Sequence, residues 1–304
     1  MYNVEKNRDG QLEFLMKQPT FIVIGAHKAA TTSIHNYLKQ HPEVYLIPNK
    51  GKDRLSSKPY ISSLEEAEDY LNQFEGATTE KALGEVSSVY LHGDGVAARI
   101  QPLFPDIKII AVLRNPAERA YSHILSARGE YFTPQEINNF DSVVLSRFFE
   151  KEKFQKPGLY YSNLKKYFDL FNREQIKNFL YDDIVHRKAE FFRELLNFIG
   201  VDSSFEFDFQ QRYHKGKLRV DNTSRKTLTT IVDSQNNLKN IFKMILKPIV
   251  PQIKSFLEKK QEQPLPPLSD HVRTEIINFY RDDIIQLQEL TGLNCSHWLE
   301  GKPT

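Results

Sequence analysis

The stretch Phe21-Ile22-Val23-Ile24-Gly25-Ala26-His27-Lys28-Ala29-Ala30-Thr31-Thr32-Ser33 carries three local signals in a row. Four apolar β-formers run into a glycine, three hydroxyl residues follow a short turn, and from Ser33 to Gln40 the apolar Ile34, Tyr37 and Leu38 recur at helical spacing. The pattern predicts a strand, a tight turn and a helix. Such a turn aims successive backbone N–H groups and the positive end of a helix dipole at one spot, so an anion is its natural occupant. Lys28 adds a full positive charge there, and Thr31, Thr32 and Ser33 add hydroxyl donors.

Working outward, His41-Pro42 ends the first helix and Val44 to Ile47 reads as a second strand, followed by a polar loop with Lys50, Lys52, Arg54 and Lys58. Leu64 to Phe74 has one apolar helical face, Ala82 to Leu91 reads as a short strand and turn, and Gly95 to Phe104 as a helix stopped by Pro105. Lys108 to Leu113 is a continuous apolar run suited to a central parallel strand, and Pro116 opens a helix to about Arg128. Gly158 to Phe171 is amphipathic, Gln175 to Tyr181 gives another strand, and Ala189 to Ile199 a helix ending at Gly200. Alternating strands and helices imply an α/β fold, a central parallel sheet flanked by helices in three layers, with ligand at the carboxyl ends of the strands. The expected organisation is an N-terminal extension over 1–20 and one domain over 21–304. Within that domain, 131–157 is an insertion over the site with a helix from Asp141 to Glu150. Residues 220–304 are mainly helical, with a last helix from about Ser269 to Leu290 and Trp298 anchoring the end.

Composition narrows the class of protein. A chain of 304 residues, 40% hydrophobic and 26% charged, fits a soluble globular enzyme. A net charge of +2 argues against nucleic acid as partner, since such proteins concentrate basic charge to displace counterions. The single cysteine, Cys295, excludes an intrachain disulfide and a cysteine-based zinc site. Met1 to Lys17 lacks the apolar core of a signal peptide, and no apolar run reaches the roughly 18 residues of a membrane span. Ile241 to Ile253, the most apolar late segment, is interrupted by Lys243, Lys247, Pro248 and Pro251. The default compartment is the cytoplasm.

The loop after Gly25 is not that of a nucleoside triphosphatase. Counting from Gly25 in the pattern G-x-x-x-x-G-K-[ST], the second glycine position holds Ala30 and the lysine position holds Thr31. Lys28 stands only three residues after Gly25, lower in the turn, near the 5′-phosphate end of a nucleotide. A second constellation lies in Ala111-Val112-Leu113-Arg114-Asn115-Pro116-Ala117-Glu118-Arg119-Ala120-Tyr121-Ser122. Arg114 caps the predicted central strand and Ser122 lies two helical turns on, so a guanidinium fork and a hydroxyl can face one phosphate. Arg119 is expected to pair with Glu118 or a neighbour, and Tyr121 to belong to the core.

Both segments resemble the two phosphate-binding motifs of sulfotransferases that use 3′-phosphoadenosine 5′-phosphosulfate (PAPS), closer to their carbohydrate-type and bacterial branch than to the small-phenol branch. That family often has glycine where Ala29 and Ala30 stand here. Gly158 to Leu164 is similar to its G-x-Y-x-x-x-L helix, Tyr181-Asp182-Asp183-Ile184 to its Y-E-D-L, and Phe198 to Val201 to its F-L-G-V. The resemblance implies the fold, the donor and transfer of a sulfuryl group to a hydroxyl or amine of a carbohydrate, lipid or other small molecule, without a metal. It implies Lys28, Ala29, Ala30, Thr31, Thr32 and Ser33 at the 5′-phosphosulfate, Arg114 and Ser122 at the 3′-phosphate, Tyr160 beside the nucleotide, and Lys215, Gly216, Lys217 and Arg219 in a loop closing over it. Lys28 is also the implied catalytic cation.

The general base stays open among three residues. The family's Glu in the loop after the second strand is replaced by Lys50-Gly51-Lys52-Asp53-Arg54-Leu55, where Asp53 is the nearest carboxylate. Glu85 lies in a turn similar to the family's G-E-x-S-P, and His27 adjoins Lys28 with an ordinary imidazole value of about 6.5. The competing readings are a P-loop nucleotide kinase or triphosphatase, and a nucleotide-binding relative that has lost catalysis.

Overall fold

The structure is a computed structural model that describes residues 4–6, 12–14, 17–47, 64–127, 132–210 and 266–300. Asp53 with its basic loop, the segment Lys215 to Arg219, and Ile241 to Ile253 lie outside the described residues.

Within the N-terminal extension, β1 (Val4–Lys6) and β2 (Leu12–Phe14) form a short antiparallel pair ahead of the main sheet. The main sheet contains β3 (Phe21–Gly25), β4 (Val44–Leu46), β5 (Ala82–Val86), β6 (Lys108–Leu113) and β7 (Ile176–Leu180). Their order is β4-β5-β3-β6-β7 and every pairing is parallel. Phe21, Ile22, Val23 and Ile24 are wholly buried, as are Ile109 to Leu113. A parallel strand covered on both faces reads as an unbroken apolar run rather than as an alternation, which is why these two segments announced themselves. Gly84 of β5 has a packing reason: a Cβ there would fall inside the Phe21 ring on the neighbouring strand.

The chain leaves β3 through helix α1 (Thr31–Leu38) toward β4 on one side of the sheet, and leaves β6 toward β7 on the other. Since β3 and β6 are neighbours, their following loops diverge and leave a crevice at the carboxyl ends of the two strands, where open α/β sheets bind ligands. Helix α1 begins two residues earlier than the apolar spacing indicated, so Thr31 to Ser33 are its first turn and not its approach.

Between the strands run α2 (Leu64–Leu71), α3 (Val96–Leu103) and α4 (Pro116–Ser126). The segment expected to carry one helix, from Asp141 to Glu150, holds three: α5 (Pro134–Asn138), α6 (Phe140–Glu150) and α7 (Glu152–Gln155) follow one another closely. Thr133 opens α5 with a capping box, its hydroxyl accepting from Glu136 N–H while Glu136 accepts from Thr133 N–H. That box is the local signal for helix there. Then come α8 (Tyr160–Phe168), α9 (Tyr181–His186), α10 (Lys188–Ile199), the long α11 (Asp270–Thr291) and α12 (Ser296–Leu299). Trp298 is fully buried, in keeping with an anchoring role.

Helix α11 is joined to the body by polar contacts that matter for the site. Asp283 accepts from the N–H groups of Tyr161 at 3.0 Å and Ser162 at 3.2 Å, capping α8 from outside its own sequence. Tyr280 donates to the Gln155 carbonyl at 2.7 Å. Among the described residues no helix is long and apolar enough to cross a membrane.

Candidate functional site

The loop after β3 is shaped by backbone conformation. Gly25 has φ of 149° with Leu91 Cβ only 3.1 Å from where its own Cβ would stand, so both conformation and space call for glycine. Lys28 and Ala30 have φ of 71° and 63°, in the left-handed region that L-residues enter at a cost. Ala26 N–H donates to the Val112 carbonyl at 2.8 Å and Ala29 N–H to the Ala26 carbonyl at 3.1 Å, so the turn is tied to β6 and to itself. Ala30 is the N-cap of α1, with no side chain able to cap, and its carbonyl accepts from Ile34 N–H at 3.0 Å. The N–H groups of Thr31, Thr32 and Ser33, the first three of the helix, therefore have no intrahelical acceptor and collect at the mouth of the crevice.

The tip of β6 delivers Arg114 to the same place. Its Nη1 donates to the Lys28 carbonyl at 3.3 Å, its Nη2 lies 3.6 Å from Glu118 Oε2, and its guanidinium carbon stands 4.8 Å from the centre of the Tyr181 ring. Its Nε is buried with no hydrogen-bond partner. A buried guanidinium N–H left without an acceptor is costly unless an anion completes it. Asn115, wholly buried, starts α4 by accepting from Ala117 N–H at 3.0 Å and Glu118 N–H at 3.3 Å, with Pro116 in the first turn. Helix α4 then runs alongside the β3 loop: the rings of His123 and His27 meet edge-on with centroids 4.2 Å apart. Ser122, which follows Tyr121 on the same helix, is half-buried.

Tyr160 stands behind this site. It is completely buried, and its hydroxyl donates to the Arg114 carbonyl at 2.8 Å, so it braces the arginine's backbone; burial pushes its own ionisation well up. Arg119 corrects the sequence expectation. It is also wholly buried, and it donates to the Phe154 carbonyl and to Tyr280 Oη at 3.4 Å rather than pairing with Glu118. Glu118 instead sits between Arg114 and Arg273. The i,i+1 geometry of a helix keeps residues 118 and 119 on different faces.

Two of the base candidates have surroundings that can be read. Glu85 is buried in β5, where its Oε2 accepts from Tyr70 Oη at 3.0 Å and its Oε1 from Tyr90 Oη at 2.8 Å. Both carboxylate oxygens thus have partners in the interior. His27 loses the value that made it attractive: burial first, then the charges of Lys28 and Arg119, hold it at about 3. His92 at about 4 and His123 at about 2 are depressed for the same leading reason, giving a set of neutral imidazoles around the buried Arg119. Tyr181, quoted above only within a motif, proves to be the aromatic partner of Arg114.

The arrangement defines a parallel α/β protein in which the loop after β3 and Arg114 at the tip of β6 meet at the carboxyl ends of two neighbouring strands. Comparison with known proteins narrows this further. The family model of the sulfotransferase domain matches residues 18–243, and the chain belongs to the sulfotransferase family. It is 24% identical over 215 residues to a bifunctional heparan sulfate N-deacetylase/N-sulfotransferase 1 of Caenorhabditis briggsae, covering 66% of this chain and 24% of that protein. It is 31% identical over 108 residues to the membrane-associated sulfotransferase kil1 of Dictyostelium discoideum, covering 36% of this chain and 23% of that protein. The chain thus spans about a quarter of the length of these curated relatives. A crystal structure of a sulfotransferase from Alicyclobacillus acidocaldarius superposes with a TM-score of 0.62 at 23% identity, covering 93% of this chain and 99% of that one, a likeness of fold.

Proposed function

We propose that the protein transfers a sulfuryl group from PAPS to a hydroxyl or amine of a carbohydrate, lipid or other small molecule. The observation that carries this reading is the meeting of the two phosphate-binding segments, with Arg114 Nη1 on the Lys28 carbonyl. One doubly phosphorylated adenosine suits such a site better than a triphosphate with its magnesium. The lone Arg114 Nε, the N–H groups of Thr31 to Ser33 and the Lys28 ammonium are the donor set a 3′,5′-bisphosphate calls for.

When bound, PAPS supplies the activated sulfuryl group. Lys28 and the loop N–H groups hold the negative charge at the 5′ end, which favours the more highly charged leaving phosphate. Arg114 and Ser122 hold the 3′-phosphate, Tyr160 fixes the Arg114 backbone, and Lys215, Gly216, Lys217 and Arg219 are the further nucleotide contacts that the family resemblance implies. With both Glu85 oxygens engaged by tyrosines and His27 a weak base, we assign proton acceptance from the acceptor to Asp53. The relatives' names make heparan-type amino sugars the first acceptors to try.

Labelled PAPS offered with a panel of amino-sugar, alcohol and lipid acceptors tests this directly. Label transfer that Asp53→Asn abolishes while adenosine 3′,5′-bisphosphate binding persists supports the assignment. Binding without transfer to any acceptor supports a nucleotide-binding protein without catalysis, and tight ATP binding without bisphosphate binding supports the kinase reading.

A further inference from the structure

Glu118 is a single carboxylate placed between two guanidiniums that come from distant parts of the chain. Its Oε1 lies 2.5 Å from Nη1 of Arg273, a residue of α11 that is 155 positions away in sequence and only 3% exposed. Its Oε2 lies 3.6 Å from Nη2 of Arg114, one helical turn behind it. The sharing is unequal. The shorter contact goes to the more buried cation, where the carboxylate is also held at its root by the Asn115 cap on Glu118 N–H.

That inequality has a chemical consequence for Arg114. An acid four residues after an arginine, with nothing to restrain it, can turn and take the guanidinium fork in a two-pronged pair. A fork occupied in that way has fewer N–H groups for a phosphate, and a phosphate would have to displace the acid to bind. Arg273 draws one oxygen of Glu118 away, so that Arg114 keeps a loose contact that orients it and an Nε without a partner.

We propose that Arg273 is a positioning residue for the 3′-phosphate end of the nucleotide, acting by holding Glu118 back from Arg114. The inference rests on the reading of Arg114 as the 3′-phosphate ligand. Arg273 itself touches no nucleotide in this account, and its effect is confined to ligands that carry a 3′-phosphate. A role in docking α11 alone would disturb every nucleotide alike.

The test is titration calorimetry on the full chain with adenosine 3′,5′-bisphosphate and with adenosine 5′-monophosphate, for the wild type, Arg273→Met, Arg273→Lys and the double variant Glu118→Gln/Arg273→Met. Arg273→Met is expected to weaken bisphosphate binding about five- to tenfold, the scale of a contacting-pair coupling, and to leave the monophosphate unchanged. The double variant is expected to recover most of the loss, because a neutral amide cannot clamp Arg114. Should the Met variant not fold, Arg273→Lys, which keeps the charge without the fork, is expected to show a smaller loss again limited to the bisphosphate. Equal losses for both nucleotides, an unmoved preference, or a double variant as weak as the single overturn the inference. A wild type that does not prefer the bisphosphate overturns the reading of the Arg114 site and this inference with it, whereas a wild-type preference untouched in both Arg273 variants overturns this inference alone.

Discussion

Arg114 donates from Nη1 to the main-chain carbonyl of Lys28 across 3.3 Å, so the tip of β6 and the loop after β3 form one crevice. The contact joins residues 86 positions apart in sequence. It also makes the loop a shared structure: the backbone that carries the Lys28 ammonium is held in place by the Arg114 guanidinium.

Lys28→Ala removes the one full charge that the loop itself supplies. Loss of a single oxyanion donor of this sort costs on the order of 10²-fold in turnover, and that is the expected drop in kcat. Bisphosphate binding should weaken far less. Initial-rate measurement with labelled PAPS checks it, and a loss of less than about fivefold would contradict the role given to Lys28.

Ala30 holds φ of 63° as the N-cap of α1, while Ala29 is wholly buried without a positive φ. Relief of left-handed strain of about 1–2 kcal/mol, less the added freedom of the unfolded chain, makes Ala30→Gly neutral to stabilising by about 1 kcal/mol. Ala29→Gly, which only deletes a buried methyl and loosens the chain, should destabilise. Urea unfolding of the two variants gives the ranking, and the reverse order would show that the loop geometry has been misread.

The three depressed histidines give stability a defined pH dependence. In the unfolded chain each imidazole takes up a proton as pH falls through about 6.5, whereas in the folded protein His92 waits until about 4, His27 until about 3 and His123 until about 2. The unfolded state therefore binds more protons throughout that window, so stability falls as pH drops from about 6.5 toward 4. His123→Gln should flatten the dependence of the unfolding midpoint on pH over this range. An unchanged slope would mean that His123 is not held neutral in the fold.

Glu85→Leu removes the buried carboxylate that accepts from the hydroxyls of Tyr70 and Tyr90. Loss of these two buried hydrogen bonds predicts a loss of roughly 2–4 kcal/mol in unfolding free energy. Adding Tyr70→Phe and Tyr90→Phe should return part of it. Urea denaturation that shows no change in Glu85→Leu would refute a structural role for this carboxylate.

How much could be read from the chain follows from the range of the signals. Phe21 to Ser33 and Lys108 to Ser122 are local patterns in which strand, turn, cap and charged residue follow one another, and their reading as strand, turn and helix needs no knowledge of distant contacts. The order of the strands, and so the meeting of Arg114 with Lys28, depends on crossovers that no local pattern encodes. Arg119 was misjudged because helical neighbours in sequence point to different faces, and Arg273 could not be found because its partner is in another part of the fold. His27 looked suitable as a base only while its solvent was assumed; burial is a property of the assembled molecule. The capping box at Thr133 was in the sequence and would have revealed α5.

The most direct measurement of the central claim is calorimetry of the wild-type chain with adenosine 3′,5′-bisphosphate, adenosine 5′-monophosphate and adenosine 3′-monophosphate. If a single crevice grips both phosphates, the bisphosphate binds more tightly than either monophosphate, Arg114→Ala abolishes the advantage gained from the 3′-phosphate, and Lys28→Ala reduces but does not abolish the advantage gained from the 5′-phosphate, because the loop N–H groups remain. Equal affinity for all three nucleotides would contradict the account.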